Sequence, residues 1–114
     1  MATAESRGWG PGWPTDNRKK CGWADGGGVR LLVRAEIVEL VSILLSETAR
    51  RGYALDPVAD DWGYASRPIR GTSTPSNHSW GLAVDLNASS NPMGSELVTD
   101  MPAWMVDMWT SCGF

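Results

Sequence analysis

This sequence has one histidine, two cysteines with no Cys-x-x-Cys pair, no excess of positive charge and no long uninterrupted apolar run. Each scarcity excludes something. Cys21 and Cys112 lie far apart, so a thiolate metal site has no basis, and two reduced thiols are the simpler expectation. Ten Lys and Arg side chains against thirteen Asp and Glu leave a net charge of −3, and apart from Arg18-Lys19-Lys20 the basic residues are scattered. Duplex nucleic acid is therefore not an expected partner. The most apolar stretch, residues 29–45, is interrupted by Arg30, Arg34, Glu36 and Glu39, which argues against membrane insertion. Residues 1–10 lack the apolar centre of a signal peptide. The expectation is synthesis in the cytoplasm, with any passage across a membrane provided by another protein.

What is present describes one small globular domain: 114 residues, 42% hydrophobic and 20% charged. Seven tryptophans are many for this length; such rings either fill a core or line a saccharide or peptide groove. Residues 1–28, rich in Gly, Pro and Trp, read as an irregular segment, with Gly8-Trp9-Gly10-Pro11-Gly12-Trp13-Pro14 and Gly26-Gly27-Gly28 as breakers. The domain proper is expected over residues 29–114. Val33, Ile37, Leu40, Val41, Leu44 and Leu45 recur at three- and four-residue steps, so one amphipathic helix is expected from residue 29 to about 51. Arg50 and Arg51 suit its negative end, and Gly52 its left-handed cap. Residues 53–55, 62–65 and 82–86 read as short strands, residues 87–94 as polar loop, and residues 102–112 as a second helix with Pro102 in its first turn and Gly113 at its end. The fold class expected is α+β: a small mixed or antiparallel sheet, a long N-terminal helix and a short C-terminal helix.

His78 lies just before the apolar run 82–86, and Asp85 follows seven positions later. In a strand, alternation sends Leu82, Val84 and Leu86 to one side and Gly81, Ala83 and Asp85 to the other. The second set puts one carboxylate on a face lined by small residues, as a cleft floor requires. A turn at Ser79-Trp80 brings the His78 ring over Asp85, close enough for both to hold a zinc ion at about 2.0–2.2 Å. Taken alone, one His and one Asp at this spacing are a weak signal, and a structural histidine with a turn-capping aspartate is the commoner reading.

The fuller pattern Ser-x-His-x-x-Gly-x-Ala-x-Asp, matched from Ser76 to Asp85, resembles the first zinc motif of the D-alanyl-D-alanine carboxypeptidase and L-alanyl-D-glutamate endopeptidase family. Arg51-Gly52-Tyr53 after a long helix, and Trp62-Gly63-Tyr64-Ala65-Ser66-Arg67-Pro68, are similar to the peptidase domains of phage endolysins. The resemblance covers roughly residues 12–114. It implies a zinc metallopeptidase that lyses cell walls by hydrolysing an amide of the peptidoglycan stem peptide, L-Ala-D-Glu or D-Ala-D-Ala, after release from the cytoplasm. It implies His78 and Asp85 as two of three Zn2+ ligands and Arg67 as a cleft arginine facing the polarised carbonyl or a substrate carboxylate. Arg70 competes for that role. Ser76 is implied as a source of a supporting or substrate hydrogen bond, and Trp80 as packing behind the site.

The family's third ligand, a histidine in an Asp-x-x-His or Glu-x-x-His segment with an acidic general base, has no counterpart here. Residues 109–114 resemble the stretch just before the family's closing strand. The peptidase-like domain is therefore expected to be incomplete, with final strands missing, zinc held weakly or not at all, and little activity from this chain alone. Glu96, Asp100, Asp107 and Cys112 have the chemistry to substitute as a ligand, but no spacing favours one, and surface or helix-cap roles are the expectation for all four. An uncovered sheet edge implies self-association or pairing with a complementary chain. The alternative, from a different class, is a non-catalytic peptidoglycan-binding module.

Overall fold

A glycine pair turns the chain into a hairpin. In the computed structural model, which describes residues 3–56, 61–91 and 99–114, strand β1 (Cys21–Gly26) runs antiparallel to β2 (Val29–Arg34), with Cys21 opposite Arg34 and Gly26 opposite Val29. Gly27 and Gly28 between them have φ of 61° and 86°, the left-handed conformation that a two-residue hairpin turn needs at both positions. At Gly27 a side chain is also excluded by space, since a Cβ there would lie 2.7 Å from the Leu45 carbonyl oxygen.

The expected helix over residues 29–51 is thus two elements. Val29, Leu31 and Val33 are buried and alternate with exposed Arg30 and half-buried Leu32, a period of two that the neighbouring strand enforces. After one 3-10 turn, Ala35–Ile37, the period changes and α1 spans Val38–Arg50. Its buried side chains Val41, Leu44, Leu45 and Thr48 cover one face of the hairpin. The 29–51 reading failed because Val33 and Ile37 continue the helical spacing backwards across the boundary. The expectation of irregular chain up to residue 28 is corrected likewise: Cys21–Gly26 is strand, and Ala24 is wholly buried in the core.

Helix α1 ends as the sequence suggests. Gly52 has φ of 110°, and the Gly52 and Tyr53 amides donate to the carbonyls of Ala49 and Thr48, each at 3.1 Å. Helix α2 spans Ala103–Ser111 with Pro102 as its N-cap. It docks through Met105 and Trp109: the Trp109 indole N–H donates to Thr48 Oγ at 2.9 Å, and the Phe114 ring meets Trp109 edge-on at 5.2 Å.

The fold class is α+β, with a two-stranded antiparallel sheet, a long helix and a short C-terminal helix. The sheet is built from other residues than expected. Residues 53–55, 62–65 and 82–86 form no strands; two isolated bridges, Trp62 to Asp85 and Pro68 to Pro75, are the pairing they and their neighbours show. Side chains replace the ladder. Asn87, at φ of 47°, accepts from the Asp56 amide and donates to the Ala54 carbonyl, both at 2.8 Å, so its carboxamide does for residues 54–56 what a neighbouring strand would do. Of the expected 87–94 loop, residues 92–94 lie outside the described residues. Among the described residues no helix is long and apolar enough to cross a membrane.

Leu45 is fully buried between hairpin and helix, whereas Ile43 on the same helix is 55% exposed. Leu45→Ala is expected to lower unfolding stability by about 2–5 kcal/mol and Ile43→Ala by no more than about 0.5 kcal/mol, as measured by urea titration. Equal losses would contradict this assignment of the helix face.

Candidate metal centre

The run from Ser76 to Asp85 is held from behind along much of its length. Ser76 caps a 3-10 turn, Asn77–Trp80, by accepting the His78 amide on its Oγ at 3.2 Å. The buried Ser79 hydroxyl donates to the Ser76 carbonyl at 2.7 Å and accepts the Trp13 amide at 3.1 Å. Trp80 is buried, its indole N–H donating to the Gly10 carbonyl at 2.8 Å while its ring occupies the space a side chain at Gly12 would need. Asn17, also buried, donates to the carbonyls of Pro11 and Ser79 at 2.9 and 3.0 Å. These contacts come from residues 10–17, so the early Gly/Pro/Trp-rich segment is the back wall of the site.

Gly81 closes the turn at φ of 77°. Its carbonyl accepts the Arg34 amide at 2.9 Å, and a Cβ there would meet Arg34 N at 2.6 Å and Cys21 Sγ at 2.9 Å. The turn is therefore seated on the end of the hairpin in a way that only glycine permits. Beyond it the Trp62–Asp85 bridge, with reciprocal N–H to carbonyl bonds of 2.8 Å, fixes the aspartate backbone.

This scaffold brings His78 Nε2 to 3.3 Å from Asp85 Oδ2. The other ring nitrogen, Nδ1, lies 2.7 Å from the Gly63 carbonyl oxygen. A carbonyl only accepts, so Nδ1 carries the hydrogen. In the neutral ring Nε2 is then a bare lone pair facing a carboxylate oxygen, an arrangement that is favourable only with a cation between or beside them, either a proton or a metal ion. The effect on titration follows: His78 is held above its ordinary value of 6.5, chiefly by the Asp85 hydrogen bond and against the opposing effect of burial. Asp85 is held below 3.8 chiefly by its hydrogen bond to His78. Arg67 lies near enough for its charge to act on both.

The pair opens into a cleft of about 710 Å³ that Trp62, Arg67, Arg70, Val84, Asn91 and Met101 also line. Arg67, His78 and Asp85 thus share one cleft. Ser76 and Trp80 do not line it: the Ser76 hydroxyl is spent on the His78 backbone, and Trp80 packs on the N-terminal segment. Asp100 accepts from the Tyr53 hydroxyl at 2.5 Å and from Asn91 at 3.2 Å. Asp107 is exposed on α2, exposed Cys112 lines a different groove, and Glu96 lies outside the described residues. Among the described residues no group of three His, Cys, Asp or Glu gathers as a metal site.

No family model, curated protein or solved structure matches this chain. The site is accordingly read from its chemistry. Two contributors lay outside the sequence reading. Gly63 provides the acceptor that sets the histidine tautomer, and a Cβ on it would lie 2.2 Å from the Leu32 carbonyl. Trp62 pairs with Asp85 and stands at the cleft mouth, 55% exposed. A glycine between two aromatics was the available signal for a close backbone approach.

Because His78 is raised and Asp85 lowered, their mutual stabilisation is complete between about pH 3.8 and 6.5, fades as pH rises through the raised His78 pKa, and fades as pH falls through the lowered Asp85 pKa. In chelator-treated protein, NMR titration of the single imidazole is expected to give a pKa above 6.5, returning towards 6.5 or below in Asp85→Asn. A wild-type value below 6.5 would contradict the pairing.

Proposed function

We propose that this chain supplies part of the zinc centre and the substrate cleft of a peptidoglycan stem-peptide hydrolase of the endolysin type. The observation that carries the reading is the His78–Asp85 pair, its histidine tautomer set by Gly63 so that a lone pair and a carboxylate oxygen converge on the cleft at 3.3 Å. The motif resemblance from Ser76 to Asp85 agrees with it. His78 through Nε2 and Asp85 through its carboxylate would hold the ion. When bound, zinc supplies Lewis acidity that polarises the scissile carbonyl and acidifies a water to a pKa of about 7. The chain's own residues do the rest of what the cleft can do. Arg67 offers a guanidinium where negative charge develops on the amide oxygen. The Gly63 carbonyl keeps the imidazole oriented. Trp62, Val84 and Met101 give the substrate an apolar wall.

A catalytic zinc takes three protein ligands, and the third is proposed to arrive on an added strand. Asp85 turns its N–H and C=O to Trp62, while the Val84 N–H and C=O have no partner among the described residues. Val84 and Leu86 border both the cleft and an adjoining apolar groove of about 330 Å³ lined by Met105, Val106, Trp109 and Phe114. An edge with open hydrogen bonds beside an apolar groove suits strand addition, whether from this polypeptide or a complementary one. The bond cleaved is then L-Ala-D-Glu or D-Ala-D-Ala, at the cell wall.

Equilibrium dialysis tests the assignment: wild-type protein is expected to take up zinc, His78→Ala and Asp85→Ala to lose at least tenfold in affinity, and Ile43→Ala, exposed on α1, to lose none. Equal uptake by wild type and His78→Ala would sink it. A peptide carrying an Asp-x-x-His strand is expected to tighten zinc binding, and no change on its addition would remove the strand-addition part.

A further inference from the structure

The wall behind the His78 turn is separate from the hydrophobic core. The cluster that joins the hairpin, α1 and α2 takes no side chain from residues before Ala24. Residues 9–17 are held instead by polar bonds in two places. On one side the Trp13 amide and the Asn17 carboxamide reach Ser79, at 3.1 and 3.0 Å, and the Gly10 carbonyl accepts the Trp80 indole N–H at 2.8 Å. On the other the Asn17 amide donates to the Tyr64 hydroxyl at 3.1 Å, and that hydroxyl donates to Asp16 at 2.6 Å. Ser79 follows His78, and Tyr64 follows Gly63. The segment therefore grips the chain on both sides of the bond between His78 Nδ1 and the Gly63 carbonyl. Asn17 also closes the segment on itself, donating to the Pro11 carbonyl at 2.9 Å.

This contact leaves two buried atoms unserved. Asn17 Oδ1 and Arg34 Nη1 have no hydrogen-bond partner among the described residues. Asn17 lies in the segment, and Arg34 lies against Trp9, its Nη2 donating to the Trp9 carbonyl at 2.9 Å and its guanidinium 5.5 Å from the Trp9 ring. A buried polar atom without a partner bears a desolvation penalty that is relieved once water reaches it. Docking of the segment thus gains the bonds to Ser79, Trp80 and Tyr64 and forfeits solvation at two atoms. Contacts of this kind, outside the apolar core, are where local opening costs less than unfolding of the whole.

We propose that residues 9–17 form a strap that lifts from the His78 turn while the core stays folded, and that its docking is coupled to cation binding at His78 and Asp85. The docked strap steadies the ring orientation in which Nε2 and the Asp85 carboxylate face one ion. A cation held there favours the docked state, and lifting the strap loosens the cation by the same factor. The coupling rests on the metal reading of the pair, whereas the separate opening of the strap does not.

The test is amide hydrogen exchange, read by NMR on the full chain with and without saturating zinc. The Trp13 and Asn17 amides, which donate out of the strap, report its opening, and the amide of fully buried Leu45 reports unfolding of the core. Without zinc the two strap amides are expected to exchange together and at least tenfold faster than Leu45, and zinc is expected to slow both about tenfold. Gly12→Ala lifts the strap, because a Cβ on Gly12 would lie 2.5 Å from the Trp80 ring. That variant is expected to exchange faster at both strap amides and to bind zinc about tenfold more weakly in equilibrium dialysis, while Thr15→Ala, exposed on the strap, changes neither. Strap amides that exchange only at the Leu45 rate would overturn the proposal on wild-type protein alone, and so would full zinc affinity in a Gly12→Ala protein whose strap amides exchange faster. Zinc bound with no effect on strap exchange would remove the coupling and leave the metal reading standing. No zinc uptake by wild-type protein would remove both.

Discussion

The hydrogen bond from His78 Nδ1 to the Gly63 carbonyl governs everything the cleft can do. At 2.7 Å it commits one ring nitrogen to donation and leaves the other as a lone pair aimed at Asp85. Had the ring faced a hydroxyl or water instead, either tautomer would serve, and the His–Asp contact would be an ordinary donor–acceptor pair with no demand for a cation. The carbonyl that imposes this comes from a segment with no side chain of its own at that point, pressed against the Leu32 backbone. The electronic character of the site is therefore set by main-chain packing between residue 63 and β2.

The hairpin is the common support. Its inner face takes α1, its end receives Gly81, and its Leu32 carbonyl accepts the Tyr64 amide at 2.6 Å next to Gly63. One element thus places both halves of the His78–Gly63 bond. Tyr64 extends the connection outward, its hydroxyl donating to Asp16 at 2.6 Å and accepting the Asn17 amide at 3.1 Å. The two arms that carry the cleft residues, 62–67 and 76–85, are tied to each other by the Ala65 amide on the His78 carbonyl and the Trp62–Asp85 bridge.

How far the sequence reveals this depends on whether the signal is local. The helix ends at Gly52 and Gly113, and the second helix after Pro102, are written in nearby residues and are found where expected, as is the approach of His78 to Asp85 across the Ser79-Trp80 turn. The hairpin was hidden because its second strand shares apolar spacing with the helix that follows, and the three glycines that announce a turn also read as a break. The missing ladders at 53–55 and 82–86 were illegible for another reason. What pairing they have comes from the Asn87 carboxamide and from one bridge, and long-range side-chain capping leaves no period in the sequence. The glycine at 63 between two aromatics signals a close backbone approach, but that it sets the His78 tautomer depends on a tertiary contact 15 residues away.

The wall behind the site has a consequence for the order in which the molecule assembles. Trp13 meets Ser79 across 66 residues, Trp80 meets Gly10 across 70, and Asn17 meets Ser79 across 62. Contacts of such separation close long loops and form slowly compared with a local hairpin or helix. The hairpin and α1 can organise from neighbours alone, but the turn that carries His78 has no rear support until the first residues of the chain have folded back across it. The register of the histidine and aspartate thus depends on long-range closure, and their pairing reports that residues 10–17 have come to rest behind the turn.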